Sequence, residues 1–504
     1  MRIRRWVMWP FLFIWTAALS FMGYAQVTRA DYERVLELQN KYNNLALNLP
    51  ETPEWQETGD SFVYRKTVEG GHEFMLVDAT ALTKQPAFDH TKLAAAFSAA
   101  SKREYKPFML PFSHFRFVDK QSAMEFIIEN VRWLCDLRAY TCTNHGVLHP
   151  GDEEYYGDDD SDANLFEDTP KNINSAEKAK TSPDGKWLAL IENYNVWVRS
   201  EDGKQQFALS DDGSEGNYYA LSTIVWSPDS KRLVAYRIRP GYRRVVQYVD
   251  SAPSDQIQPK YSSMVYTKPG DVLALPQPVL FDIKEKREIF IDNALFPNPF
   301  ELTPSIWWKD NRGFTFEYNQ RGHQIYRVIE VDAATGHARV LITEKSDTFI
   351  DYRPLVMNQF DTGKEYRDDL ADGKEIVWAS ERDGWEHLYL FDGKTGNVEN
   401  QITKGPWVVR AVNRVDEQKR QIWFEASGMN PGEDPYFVHE YRINFDGTGL
   451  TPLTPIEANH HVEFSTDGNY YIDIWSRVDL PPVLALYRAE DNKQLMVVEQ
   501  ADIS

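Results

Sequence analysis

Ser182-Pro183-Asp184-Gly185-Lys186-Trp187 is answered downstream by Trp226-Ser227-Pro228-Asp229-Ser230-Lys231. Weaker copies stand at Trp308-Lys309-Asp310-Asn311-Arg312-Gly313 and at Phe464-Ser465-Thr466-Asp467-Gly468-Asn469. Each copy is a tight turn running into a short apolar strand, such as Trp187-Leu188-Ala189-Leu190 after the first. A turn-and-strand unit recurring every ~40–50 residues buries its apolar face only against its neighbours, which is the sequence form of a β-propeller.

Outward from the repeats the pattern holds. Val196-Trp197-Val198 and Leu388-Tyr389-Leu390-Phe391-Asp392 are strand edges, the second running into the turn Gly393-Lys394-Thr395-Gly396. Six units run from Thr181 onward and one or two precede it. The expected fold is all-β: a seven- or eight-bladed β-propeller over residues 61–504, with a short N-terminal helix. Trp226, Trp308, Trp378 and Trp423 recur at strand positions and read as packing between blades.

Residues 1–25 read as a secretory signal peptide, with Arg2, Arg4 and Arg5 before an apolar run from Trp6 to Met22 and a small residue, Ala25, at the cleavage point. Export to the periplasm or the extracellular space follows, with no membrane span after cleavage, since no later stretch reaches the roughly 18 apolar residues a span needs. Residues 26–60 form a lead-in whose apolar positions at Tyr32, Val35, Leu36 and Leu38 have helical spacing, predicting a helix packed against the ring. A second helix is expected from Thr91 to Ser101. Residues 152–168 are strongly acidic without the spacing of a calcium loop and read as a solvated loop.

The formal net charge is −21. So acidic a chain argues against nucleic acid or anionic lipid as partner. The two cysteines, Cys135 and Cys142, flank a turn at Arg138-Ala139. In an exported protein they pair across a hairpin as a disulfide or remain two buried thiols, the disulfide being favoured. Two cysteines at this spacing make a poor metal site. No metal and no cofactor are expected.

Three phrases carry a resemblance to a known family. They are Ala379-Ser380-Glu381-Arg382-Asp383-Gly384-Trp385-Glu386-His387-Leu388-Tyr389, Asp473-Ile474-Trp475-Ser476-Arg477-Val478-Asp479-Leu480-Pro481-Pro482-Val483, and Met264-Val265-Tyr266-Thr267-Lys268-Pro269-Gly270-Asp271. In this order they resemble the N-terminal propeller of the dipeptidyl peptidase IV branch of the prolyl oligopeptidase family of serine peptidases. The resemblance covers residues 180–500 and, more loosely, 60–150. It implies a partner α/β-hydrolase domain with a nucleophilic Ser on a Gly-x-Ser-x-Gly turn. No Gly-x-Ser-x-Gly occurs in the 504 residues; Glu425-Ala426-Ser427-Gly428 lacks the first Gly. The expectation is a chain without the family's catalytic domain, and so without catalytic residues or peptidase activity of its own.

The family also holds a substrate's α-ammonium with an adjacent Glu pair from the propeller, placed between the Ser-Pro-Asp-Gly unit and the next Trp-Ser-Pro unit. Here that interval, Asp211 to Val225, has no such pair. Glu215, Tyr218 and Tyr219 occupy it and are the candidate substrate-binding residues, a carboxylate flanked by aromatics suiting an amine. Arg237, Arg239, Arg243 and Arg244 read as ion-pairing, His387 as packed, and the adjacent His460-His461 as a poor joint metal site, because neighbours on a strand point to opposite faces.

Two functions compete. The first is the substrate-gating, peptide-binding propeller of an exported dipeptidyl peptidase IV-like peptidase, working in proteolysis with a separate α/β-hydrolase domain or as a homo-oligomer. The second is a stand-alone exported propeller, non-catalytic, that binds a peptide or protein ligand.

Overall fold

The computed structural model describes residues 28–42, 45–57, 59–148, 179–353 and 364–504. The expected leader and acidic loop lie outside the described residues. The chain is all-β, built from the blade sheets of a β-propeller, with a short N-terminal helix.

All four copies of the repeated phrase make the same turn. In the first, Gly185 N–H donates to the Ser182 carbonyl at 2.9 Å, and Ser182 N–H reaches the Trp187 carbonyl at 2.8 Å. The Ser182 hydroxyl donates to Asp184 Oδ1 at 2.8 Å and accepts from Trp187 N–H at 3.0 Å. Asp184 Oδ1 also accepts Lys186 N–H at 3.1 Å. Serine and aspartate thus satisfy the backbone donors that the reversal strips from the ladder. Ser227 with Asp229 and Ser465 with Asp467 repeat the bond at 2.8 and 2.7 Å. The Trp308 copy lacks the serine, but Asp310 still accepts Arg312 N–H at 3.0 Å. The last turn residue is left-handed in every copy: Gly185 and Gly468 at φ +71°, Ser230 at +61° and Asn311 at +64°. Glycine takes that conformation freely, and asparagine tolerates it better than most residues.

Among the described residues the chain forms eight antiparallel blade sheets, each four strands wide with its strands in chain order. Blades 1 to 8 occupy residues 54–86, 116–147, 180–208, 218–289, 299–345, 367–401, 408–452 and 459–500. Blade 4 carries an inserted hairpin, Val245–Asp250 paired with Lys260–Val265. The chain divides into two compact units. One comprises residues 1–146, 481–484 and 496–504, and the other residues 147–480 and 485–495.

In the first unit, blades 1 and 2 and the helix His90–Ser101 share a core around Phe74, Leu93, Phe97 and Phe126. Asp89 caps that helix through Lys92 N–H at 3.0 Å. The C-terminal residues join the same unit: Leu47 bridges to Asp502, and Glu499 accepts the Tyr64 hydroxyl at 2.9 Å and pairs with Lys66 and Lys84 at 3.1 Å. The N-terminal helix, Arg29–Tyr42, corrects an expectation. It forms, with Thr28 N–H bonded to Asp31 Oδ2 at 2.9 Å and Arg29 paired to Glu33 at 2.7 Å. Yet Tyr32, Val35, Leu36 and Leu38 are exposed, so the stripe marks a helix held by local pairs rather than one packed on a sheet.

In the second unit each core lies between consecutive blades. Val198, Leu233 and Phe281 join blades 3 and 4; Tyr236, Leu280 and Phe316 join 4 and 5; Trp308, Val328 and Trp378 join 5 and 6; Leu390, Trp407 and Phe424 join 6 and 7. Trp226, Trp308, Trp378 and Trp423 are all buried. Fully burying one such large apolar side chain is worth about 1.5–3 kcal/mol.

Candidate functional site

Glu215, Tyr218 and Tyr219 do not converge. Glu215 is exposed, between Ser214 and Asn217, which bond to each other across a tight reversal. Tyr218 and Tyr219 form a two-residue strand and are buried on its opposite sides. The Tyr219 hydroxyl donates to Asp212 Oδ1 at 3.1 Å, and Asp212 also pairs with Arg237. Burial, then the Asp212 charge, pushes the Tyr219 phenol well above its ordinary range. Arg244 forks onto Asp271 at 2.8 and 2.6 Å. Cys135 and Cys142 are joined as a disulfide, with Cα atoms 4.1 Å apart.

His387 is buried, its ring nitrogens 3.0 Å from the Thr403 hydroxyl and from the Gly405 carbonyl. His460 is buried against Asp473 at 2.9 Å, while His461 pairs with Glu463 at 3.1 Å, so the two histidines serve different partners.

Carboxylates and aromatics do converge between blades 5 and 6. The strands Ala338–Lys345 and Glu375–Ser380, the segment 346–352 and the loop 381–386 enclose a half-open cleft of about 120 Å³. Its walls include Glu344, Asp351, Glu365, Glu381 and Glu386, against the cations Lys345, Lys364 and Arg382. Tyr326, Phe349, Tyr352 and Trp378 supply aromatic surface. The loop belongs to the Ala379–Tyr389 phrase. It turns at Asp383-Gly384, with Gly384 at φ +97° and its N–H bonded to the Glu381 carbonyl at 2.9 Å. That turn places Glu381 on one side and Glu386 on the other.

Most of these carboxylates are engaged. Glu344 accepts from Trp378 Nε1 and from the Ser380 hydroxyl, each at 2.9 Å, and pairs with Arg382. The Arg382 guanidinium lies 4.9 Å from the Tyr389 ring centroid, a cation–π contact. Asp351 takes a fork from Arg353 at 2.9 and 2.8 Å, which holds its carboxyl below the ordinary range. Glu381 pairs with Lys364. Glu365 is raised by burial and by Glu317, to which it hydrogen-bonds as an acid. Burial opposes charge on Glu317 too, but the bond from Glu365, Arg367 at 3.1 Å and the Tyr326 hydroxyl at 2.6 Å hold it below the usual range.

Glu386 differs. It is 2% exposed, and neither carboxylate oxygen has a hydrogen-bond partner among the described residues. Burial, then the charge of Glu381, pushes it up to about 9. Sequence reading passed it over because its phrase reads as a strand-and-turn signature, and nothing in the spelling shows that this carboxylate turns inward alone.

The model of the dipeptidyl peptidase IV (DPP IV) N-terminal region matches residues 137–482. A probable dipeptidyl-aminopeptidase B of Coccidioides posadasii is 23% identical over 337 residues, covering 60% of this chain and 35% of that protein. Dipeptidyl peptidase 4 of Arthroderma otae is 25% identical over 291 residues, covering 55% and 35%. The chain thus spans about a third of the length of these curated relatives. Among solved structures, a putative dipeptidyl aminopeptidase IV from Bacteroides ovatus aligns with a TM-score of 0.49 at 18% identity, over 90% of this chain and 60% of that one. Dipeptidyl peptidase 4 of Porphyromonas gingivalis aligns at 0.44 and 16%, over 89% and 59%. The family match spans well over half of the chain, through blades 3 to 7 and into both flanking sheets: the chain belongs to the dipeptidyl peptidase IV N-terminal region family.

Proposed function

We propose that this chain is the peptide-binding, substrate-gating propeller portion of an exported dipeptidyl peptidase IV-like serine peptidase and works in proteolysis. The family match over residues 137–482 carries the reading. The acidic, aromatic cleft between blades 5 and 6 supports it, since carboxylates beside rings suit an amine or a basic side chain. The hydrolytic step belongs to an α/β-hydrolase partner domain, because the 504 residues contain no Gly-x-Ser-x-Gly. The basic, then apolar, start of the sequence supports export to the periplasm or beyond the cell.

The test incubates the purified chain with fluorogenic Xaa-Pro and Xaa-Ala dipeptide substrates and a serine-reactive phosphonate, and in parallel measures peptide binding by fluorescence anisotropy. The reading expects peptide binding without turnover or labelling. Turnover with stoichiometric labelling sinks the division of labour. A folded protein that binds no peptide sinks the gating role and favours a protein ligand. Fractionation of expressing cells reports the compartment.

A further inference from the structure

Glu386 is a buried carboxylate with no hydrogen-bond or ion-pair partner among the described residues, and Lys364, the cation whose charge it feels, is paired to Glu381. An ionised carboxylate removed from water costs several kcal/mol unless it is paired, and the neutral acid leaves its own donor unmet. Every other acid on the cleft wall is satisfied: Glu344 by Trp378, Ser380 and Arg382, Asp351 by Arg353, Glu381 by Lys364, Glu365 by Glu317. Residues 354–363, which follow the cleft segment in sequence, contain no Lys, Arg or His and supply no cation. Phe349, which is 53% exposed, and Tyr352 line the same cleft.

We propose that this cleft takes one organic cation, an ammonium or guanidinium on an apolar stem, with Glu386 as its counter-ion and the rings of Phe349 and Tyr352 against the stem. Its volume of about 120 Å³ is roughly that of four waters in the liquid, enough for a head group and a few methylenes. Cation–π contact with the aromatic walls favours the same ligand. With its other acids already engaged, the cleft has one anionic ligand left, a poor set for a divalent metal that needs six or more oxygens. A basic side chain of a peptide and a free polyamine share this chemistry. The proposal rests on the peptide-binding reading only for which of the two supplies the cation.

The bound cation displaces the Glu386 proton to solvent, so saturation-transfer NMR on the full chain at about pH 8, where that release costs less than at neutral pH, tests this. The probes are N-acetyl-lysine methylamide, N-acetyl-arginine methylamide, neutral N-acetyl-norleucine methylamide, and spermidine. The expected result is transfer to the side-chain methylenes of a cationic probe, none to norleucine, and at least a fivefold loss in a Glu386→Gln protein that still melts cooperatively. Transfer to the lysine or arginine probe names a peptide side chain as the source; transfer to spermidine alone names a polyamine and leaves the peptide-gating reading to its own assay. Equal transfer in wild type and Glu386→Gln, or none from any cationic probe, overturns the proposal. Should Glu386→Gln fail to melt cooperatively, Phe349→Ala takes its place. At least a twofold loss is expected there, and unchanged transfer overturns the proposal.

Discussion

Tyr218 and Tyr219 are adjacent in the chain and buried in different cores. Tyr218 packs with Tyr236 and Phe316 between blades 4 and 5, and Tyr219 with Val198 and Phe281 between blades 3 and 4. Neighbours on a strand face opposite ways, and here each face meets a different blade. The pair is a rivet through blade 4, and Glu215 stands outside it in solvent. Tyr218→Ala and Tyr219→Ala are each expected to destabilise the protein by about 3–5 kcal/mol, the cost of emptying an aromatic site in a core. Glu215→Ala is expected to stay within about 0.5 kcal/mol of wild type. Denaturant unfolding followed by tryptophan fluorescence reads all three. A destabilised Glu215→Ala, or a neutral Tyr219→Ala, contradicts this placement.

Glu386 makes stability pH-dependent in a predictable direction. Its carboxyl is raised in the fold to about 9, above the value near 4.5 that it takes when exposed. Between these values the folded state holds a proton that the unfolded state has released. Its effect on stability is therefore least harmful at pH 4–5 and worsens as pH climbs toward 9. One group changes stability by at most about 1.4 kcal/mol per pH unit. Glu386→Gln removes the linkage. Its melting temperature is expected to rise relative to wild type as pH goes from 5 to 9, with the two close together at pH 5. A difference that stays flat across that range means that the carboxyl titrates normally.

Much of the fold is written in the chain because its turns are chemical. Ser182, Asp184 and Gly185 each perform a bonding or conformational task that few other residues perform, so the phrase recurs wherever blades 3, 4 and 8 need the same reversal. The six units from Thr181 onward and the two sheets before it match the eight blades. The Arg29–Tyr42 helix was legible as a helix, but its exposure was not, since periodicity reports spacing and not what covers a stripe. The cleft was illegible for a related reason. Glu344, Glu365 and Glu386 lie on separate strands and loops, and only blade-to-blade packing brings them to one wall.

His460 and Asp473 form a second buried pair, 2.9 Å apart and each about 1% exposed at the side chain. His460 Nε2 faces the Ile456 carbonyl at 2.7 Å, which only accepts, so that nitrogen carries a proton. Nδ1 then faces both Asp473 oxygens, and one further proton lies between ring and carboxyl. His460→Ala strands the acid and is expected to cost about 3–5 kcal/mol. His461→Ala loses a partly buried contact with Glu463 and leaves no fully buried carboxylate stranded, so it is expected to cost less, about 1 kcal/mol. Two equal effects in chemical denaturation contradict the division between the two faces of the strand.

Cys135 and Cys142 close a loop of seven residues at the edge of blade 2, with Cys135 fully buried and packed beside Phe126 and Met124. The turn between them is set independently, because Asp136 Oδ1 accepts Arg138 and Ala139 N–H, each at 2.7 Å. Cross-linking so short a loop removes little freedom from the unfolded chain, so the bond is worth about 2 kcal/mol, at the low end for disulfides. Cys135→Ala/Cys142→Ala is expected to lose that plus a small packing term from the Cys135 site. Reductant is expected to lower the wild-type melting temperature and leave the double variant unchanged. Intact mass before and after reduction with alkylation checks the bond itself: protein recovered from an oxidising compartment should label only after reduction. Labelling of both thiols without reduction would contradict the bond.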